Sequence, residues 1–151
     1  ADRQQEAAAG RQETADENQE TAAGRQERGG PCIHILGALG GRTDHMLANI
    51  QLLLPACDRG IDCFLADQNT RIRMIKNPLV IRKDDQYGKW ISLLAWGADV
   101  TGLTLSGFAY RTRNETLYAA GARGISNYLE EETGTISFAS GRLLVVESRD
   151  S

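Results

Sequence analysis

Ile33-His34-Ile35-Leu36-Gly37-Ala38-Leu39-Gly40-Gly41-Arg42-Thr43-Asp44-His45-Met46-Leu47-Ala48-Asn49-Ile50 passes from a short apolar run, through a glycine-rich turn, into a helical pattern. Ile33 to Leu36, bounded by Pro31 and Gly37, predict a short buried strand. Gly37, Gly40 and Gly41 permit a tight turn, positive φ and close approach of the backbone to another molecule. Thr43 is positioned to cap the next helix, whose apolar residues Met46, Leu47, Ile50, Leu53 and Leu54 share one face until Pro55 closes it. A strand, a glycine turn and a helix N-terminus together offer free N–H groups and a positive dipole end to an anion. The turn matches neither the P-loop nor the dinucleotide fingerprint, so on its own it fits a plain strand-to-helix connection as well.

Working outward, 151 residues with 41% hydrophobic content can bury a core in one or two small domains. A formal charge of −3 excludes the basic footprint of a non-specific nucleic-acid binder. Cys32, Cys57 and Cys63 are odd in number and lack C-x-x-C spacing, which points to reduced thiols in a cytoplasmic protein rather than a disulfide framework or zinc site. No apolar run reaches the roughly 18 residues of a membrane span, and no signal-peptide pattern opens the chain. Asn114-Glu115-Thr116 matches a glycosylation sequon but reads as an ordinary turn.

Residues 1–30 stand apart. Their only apolar residue type is alanine, and Ala-Ala-Gly-Arg-Gln-Glu occurs at 8–13 and again at 22–27. Arg3, Arg11, Arg25 and Arg28 face Asp2, Glu6, Glu13, Asp16, Glu17, Glu20 and Glu27, so the whole formal −3 resides in this segment. It reads as a low-complexity helical or disordered stretch ending near Gly29-Gly30-Pro31. Residues 31–59 form the strand–turn–helix unit. One such unit cannot make a doubly wound sheet, so its strand is expected either to dock on another chain or to need an N-terminal part. From Gly60 the texture changes to short alternating runs: Ile61–Ala66, Thr70–Ile75, Leu79–Arg82, Lys89–Leu94, Val100–Leu105, Phe108–Thr112, Thr116–Ala119, Gly134–Phe138 and Leu143–Glu147. Punctuated by Gly, Asn and Asp turns, they predict an all-β antiparallel sandwich over 60–151. The expected fold is an α/β fragment followed by that sandwich, with Trp90 and Trp96 as packing residues.

The combination of motifs resembles a known family. Gly40-Gly41-Arg42-Thr43-Asp44-His45-Met46-Leu47-Ala48-Asn49 is similar to the Gly-Gly-Arg-x-Asp-His-x-x-Ala-Asn signature of thiamine pyrophosphokinases. Val100-Thr101-Gly102-Leu103-Thr104, Gly107-Phe108-Ala109-Tyr110, Gly124-Ile125-Ser126-Asn127 and the ending Gly141-Arg142-Leu143-Leu144-Val145-Val146 resemble successive motifs of that family's C-terminal β-domain. The resemblance covers roughly residues 31–151. It implies a thiamine diphosphokinase, which transfers pyrophosphate from ATP to the thiamine hydroxyl and releases AMP. It further implies Mg²⁺ as cofactor, a homodimer, and a cleft between an α/β nucleotide domain and the sandwich.

Carried residue by residue, the resemblance puts Arg42, with Gly40 and Gly41, against phosphate, and makes Arg42 and Asp44 the catalytic pair. Asp44 would orient the metal, its water shell or the attacking hydroxyl. Tyr110 would stack on thiamine, whose thiazolium cation suits a π-face, and Ser126 and Asn127 would lie near the pyrimidine. His45 reads as structural, and Asn49 as a possible support for the loop from beneath. The family's Gly-Asp-x-Asp-Ser motif is absent, and the position of its Lys-Asp-x-Thr-Asp-x-Glu motif falls on residues 13–19, where only the acidity of Asp16 and Glu17 remains. The expectation is therefore an incomplete enzyme, weakly active or inactive alone. The alternative is a non-catalytic thiamine-binding or dimerisation module.

Overall fold

A computed structural model describes residues 30–150; the reading of residues 1–29, with Asp16 and Glu17, falls outside that range. From Pro31 onward the chain forms one compact unit. Strand β1 (Cys32–Leu36) leads through the glycine loop to helices α1 (Thr43–Gln51) and α2 (Leu53–Asp58), then to β2 (Asp62–Ala66). The remaining strands are β3 (Thr70–Ile75), β4 (Leu79–Arg82), β5 (Trp90–Ala95), β6 (Val100–Ser106), β7 (Thr112–Leu117), β8 (Thr133–Ser137) and β9 (Leu143–Ser148). They build a five-stranded sheet in the order β1-β2-β3-β9-β5 and a four-stranded sheet in the order β4-β8-β6-β7.

The register explains why the central strand of the large sheet buries apolar residues on both faces. In β9, Leu143 and Val145 enter the core between the two sheets, with Ile91, Leu93, Val100, Leu103, Phe108 and Ile136. Leu144 enters a second core with Ile50 and Leu53 of the helices and Leu65, Ile72 and Met74 of neighbouring strands. The Leu-Leu-Val-Val run is therefore the sequence of a central strand covered on both sides. The helices, the large sheet and the small sheet stack as three layers.

Several expectations change. β1 does not need another chain for a partner, because it pairs in parallel with β2, from Cys32 opposite Asp62 to Leu36 opposite Ala66. Residues 31–59 and 60–151 thus share one sheet, and the sheet is mixed rather than purely antiparallel. The single helix is two. Pro55, in the first turn of α2, has no N–H for the carbonyl of Gln51, so the first helix ends at that residue and a new one starts at Leu53. The cap position falls on Arg42, with no side-chain capping bond, and Thr43 is the first helical residue. Phe108–Thr112 and Thr116–Ala119 are not two strands. Phe108 makes an isolated bridge to Leu129, and β7 spans the polar Thr112–Leu117 between them. Asn114 lies within that strand, at φ 51°, and not in a turn.

One charged cluster is built into the large sheet. Glu147 is 1% exposed. It accepts bonds from Arg71 Nη2 at 2.9 and 3.0 Å and from the Tyr87 N–H at 2.6 Å, with Arg73 Nη2 at 3.8 Å. The Arg71 guanidinium lies 5.3 Å from the Phe64 ring centroid and 5.2 Å from that of Tyr87. Tyr87 Oη donates to the Asp67 carbonyl, so this network straps the loop between β4 and β5 onto the sheet.

Candidate functional site

The glycine loop leaves the C-terminal end of β1 with Gly37 at φ 74° and Gly41 at φ 79°, left-handed values that explain glycine at both positions. Gly40 is not left-handed. Asn49, one and a half turns into α1, donates from Nδ2 to the Ala38 carbonyl at 3.0 Å and holds the loop from beneath. Arg42 and Asp44 are exposed and bind each other, Nε to Oδ1 at 3.1 Å and Nη2 to Oδ2 at 2.5 Å. Both carboxylate oxygens are thus occupied by the neighbouring guanidinium. Asp44 also sits in the first turn of α1, where a negative charge is favoured by the helix dipole.

Far from this loop, a cavity of about 480 Å³ opens in the small-sheet half of the molecule. Leu93, Leu103, Leu105 and Leu117 supply apolar lining, and Tyr110, Arg111, Glu115 and Arg123 carry its polar groups. Beside it the β6–β7 register shifts twice, with Gly102 at φ 68° and Asn114 at φ 51°. Bulges of this kind bend strands away from each other next to binding sites. Both arginines are held by acids: Arg111 by Glu131 at 2.9 Å and Glu130 at 3.6 Å, Arg123 by Glu115 at 2.9 Å. The cavity mouth therefore carries no unbalanced positive charge from them.

The Gly-Ile-Ser-Asn stretch forms part of this wall by running along the free edge of β5. The Leu93 N–H donates to the Gly124 carbonyl at 2.7 Å, and Ile91 and Asn127 exchange backbone bonds of 2.8 and 3.0 Å. A Cβ on residue 124 would come within 2.2 Å of the Leu93 carbonyl oxygen, so only glycine fits there. Ser126 takes φ 60°, and its N–H donates to Ser92 Oγ at 2.9 Å. Of the three residues expected around the substrate, Tyr110 and Asn127 line the cavity and Ser126 does not. Tyr110 is 66% exposed, and its ring meets that of Tyr128 edge-on at 6.4 Å.

The loop residues Arg42 and Asp44 are not brought to the cavity. β1 and β5 are the two outer strands of the large sheet, with β2, β3 and β9 between. Four strand spacings of about 4.8 Å separate them by roughly 19 Å. Among the described residues no group of three or more His, Cys, Asp or Glu side chains could hold a metal ion. Asp44, the carboxylate expected to meet a metal, is paired with Arg42 in this structure. Sequence reasoning missed Arg111, Glu115 and Arg123. It could have found the apolar floor, because Leu103 and Leu105 alternate within β6.

Residues 76–143 match the vitamin B1 binding domain of thiamin pyrophosphokinase. Over 118 residues the chain is 36% identical to the thiamine pyrophosphokinase of Bacillus subtilis (strain 168), covering 78% of this chain and 55% of that protein. The chain belongs with the C-terminal portion of the thiamine pyrophosphokinases. The crystal structure of the thiamine pyrophosphokinase from Bacillus subtilis superposes with a TM-score of 0.76 at 34% identity, over 91% of this chain and 63% of that one. The thiamin pyrophosphokinase from Geobacillus thermodenitrificans gives 0.70 at 28% identity, over 91% and 61%. The chain thus spans a little over half the length of the curated thiamine pyrophosphokinase it matches. All the named cavity residues lie inside the matched B1-binding stretch, and Arg42 and Asp44 lie outside it.

Proposed function

We propose that the cavity beside Tyr110 receives thiamine and that the chain serves the thiamine diphosphokinase reaction. In that reaction the hydroxyethyl oxygen of thiamine attacks the β-phosphorus of ATP, AMP leaves, and the hydroxyl proton is lost. The observation that carries this reading is an apolar cavity of about 480 Å³, with an exposed tyrosine ring among its lining residues, inside the stretch matched to the B1-binding domain. Small-molecule sites usually measure about 300–1,000 Å³ and combine an apolar floor with a few polar groups. A thiazolium cation suits the π-face of Tyr110, and the arginines at the mouth are already neutralised by glutamates.

In this reading Arg42 swings from Asp44 to the phosphate oxygens, and Asp44, so released, orients the attacking hydroxyl. Gly40 and Gly41 let the phosphates approach the backbone. ATP is the co-substrate. Mg²⁺ would arrive with the ATP phosphates, its usual partners beside one or two carboxylates, and Asp44 is the carboxylate expected to meet it. The distance between the glycine loop and the cavity supports a homodimer in which the loop of one copy meets the cavity of the other.

A second reading, a non-catalytic thiamine-binding or dimerisation module, is favoured by the mutual pairing of Arg42 and Asp44. Calorimetry with thiamine, followed by an assay of AMP release from ATP and Mg²⁺, separates the two. Thiamine-dependent AMP release supports the transferase. Binding without turnover supports the module, and no heat in a folded sample refutes thiamine binding in either reading.

A further inference from the structure

Between Phe108, which bridges to Leu129, and β7, which begins at Thr112, the chain leaves the sheet. Tyr110 lies in that gap, where its backbone N–H and C=O have no strand to pair with. Buried or half-buried peptide groups must nevertheless find partners. Here one side chain supplies both: the Tyr110 N–H donates to Asn127 Oδ1 at 3.0 Å, and Asn127 Nδ2 donates to the Tyr110 carbonyl at 2.8 Å. The same Oδ1 accepts the Tyr128 N–H at 2.9 Å. Asn127 is only 6% exposed, and its own backbone is fixed to Ile91 by two bonds. A carboxamide has two acceptor lone pairs and two donor hydrogens. Both lone pairs and one hydrogen are consumed in holding the backbone, so little remains for a bound molecule.

We infer that Asn127 is a positioning residue: its carboxamide stands in for a neighbouring strand, fixes the backbone of Tyr110, and thereby aims the exposed tyrosine ring across the cavity mouth. It acts on the ligand through that ring and is not itself the principal contact. Asparagine is suited to the task because its carboxamide presents an acceptor and a donor side by side; aspartate keeps the acceptor but turns a repelling oxygen toward the Tyr110 carbonyl. The inference rests on the proposed thiamine site, with Tyr110 as the ring it controls.

A double-mutant cycle on the full chain tests it, with thiamine affinity read by calorimetry and melting temperature recorded for every variant. Asn127→Asp is the milder probe because it keeps the two N–H bonds, and Asn127→Ala is the complete one. Tyr110→Ala removes the ring and leaves the clamped backbone. Asn127→Asp should weaken thiamine about tenfold when Tyr110 is present and less than twofold beside Tyr110→Ala. The melting temperature should fall by the same amount in both backgrounds. An equal affinity loss in both backgrounds would assign Asn127 a direct contact or a general structural role, and overturn the inference. So would unchanged affinity in either Asn127 variant, or in Tyr110→Ala alone. A wild-type chain that binds no thiamine refutes the proposed function, and this inference falls with it. That failure is visible before any variant is compared.

Discussion

Replacing Glu147 should unfold the chain more readily than any other single charge change at a described residue. Its carboxylate is 1% exposed and anchors three hydrogen bonds, two from Arg71 and one from the Tyr87 N–H, with Arg73 at 3.8 Å. Glu147→Ala leaves the Arg71 guanidinium between Phe64 and Tyr87 without that counter-charge. Removing one partner of a buried ion pair typically costs about 3–5 kcal/mol. Glu147→Gln keeps the volume and one acceptor but turns an NH₂ toward a donor, so about 3 kcal/mol is expected there. At about 2–4 °C per kcal/mol for a chain of this size, Glu147→Gln should lower the melting temperature by roughly 6–12 °C. Urea unfolding gives the free energy directly. Asp44→Asn is the control, because exposed pairs contribute about 0–1 kcal/mol. A Glu147→Gln loss below about 1 kcal/mol, or one no larger than the control, would refute the view that this cluster holds the 84–88 loop on the sheet.

The cysteines should separate by reactivity: exposed Cys32 should be alkylated by iodoacetamide at pH 8 in the folded chain, while Cys57 and Cys63 are spared until urea is added. Burial pushes the Cys57 thiol up, with Asp58 adding to the shift, and burial likewise raises Cys63. The folded state therefore holds these protons when the unfolded chain, with thiol pKa near 8.5, has released them, and stability should decline as pH rises past about 8.5. A stability that instead increases over that range in a urea series would contradict the assignment. Gly124→Ala should detach the Gly124–Asn127 segment from β5, because its Cβ meets the Leu93 carbonyl oxygen at 2.2 Å. Overpacking against backbone costs about 1–3 kcal/mol, and amide exchange at Leu93 should quicken; unchanged exchange would show that the segment accommodates the methyl group.

How far the sequence revealed this fold depended on where each strand lies. β3 and β4 were legible to the residue, because Ile72 and Met74 alternate with arginines in β3, and in β4 Leu79 and Ile81 turn inward while Val80 and Arg82 face out. β9 was visible as an apolar run covered on both faces. β7 was not, since Thr112 to Leu117 place polar side chains on an outer strand whose solvent face needs no alternation. The pairing of β1 with β2 was missed for a different reason. Periodicity locates strands but does not say that a helical crossover returns the chain parallel to the strand just left.

At the site, the sequence names residue types but hides the bonds they make. From sequence Tyr110 is a ring able to face a cation, and in the structure it is an exposed residue of the cavity lining. From sequence Asn127 reads as a residue near the thiamine pyrimidine, because there an asparagine's bonding partners are invisible. The fold shows that its carboxamide answers a shortage of backbone partners at Tyr110, created where the strand breaks between Phe108 and Thr112. The same logic applies to the glycine loop. Asn49 bonds the Ala38 carbonyl, and Gly37 and Gly41 take left-handed φ, so much of that motif is spent on holding its own shape. What is left over in each place is the group with exposed chemistry: Arg42 beside Asp44 at one edge of the large sheet, and Tyr110 at the other. A motif with both kinds of residue marks a ligand by the groups its scaffold does not consume, and here roughly 19 Å of sheet separates the two such groups.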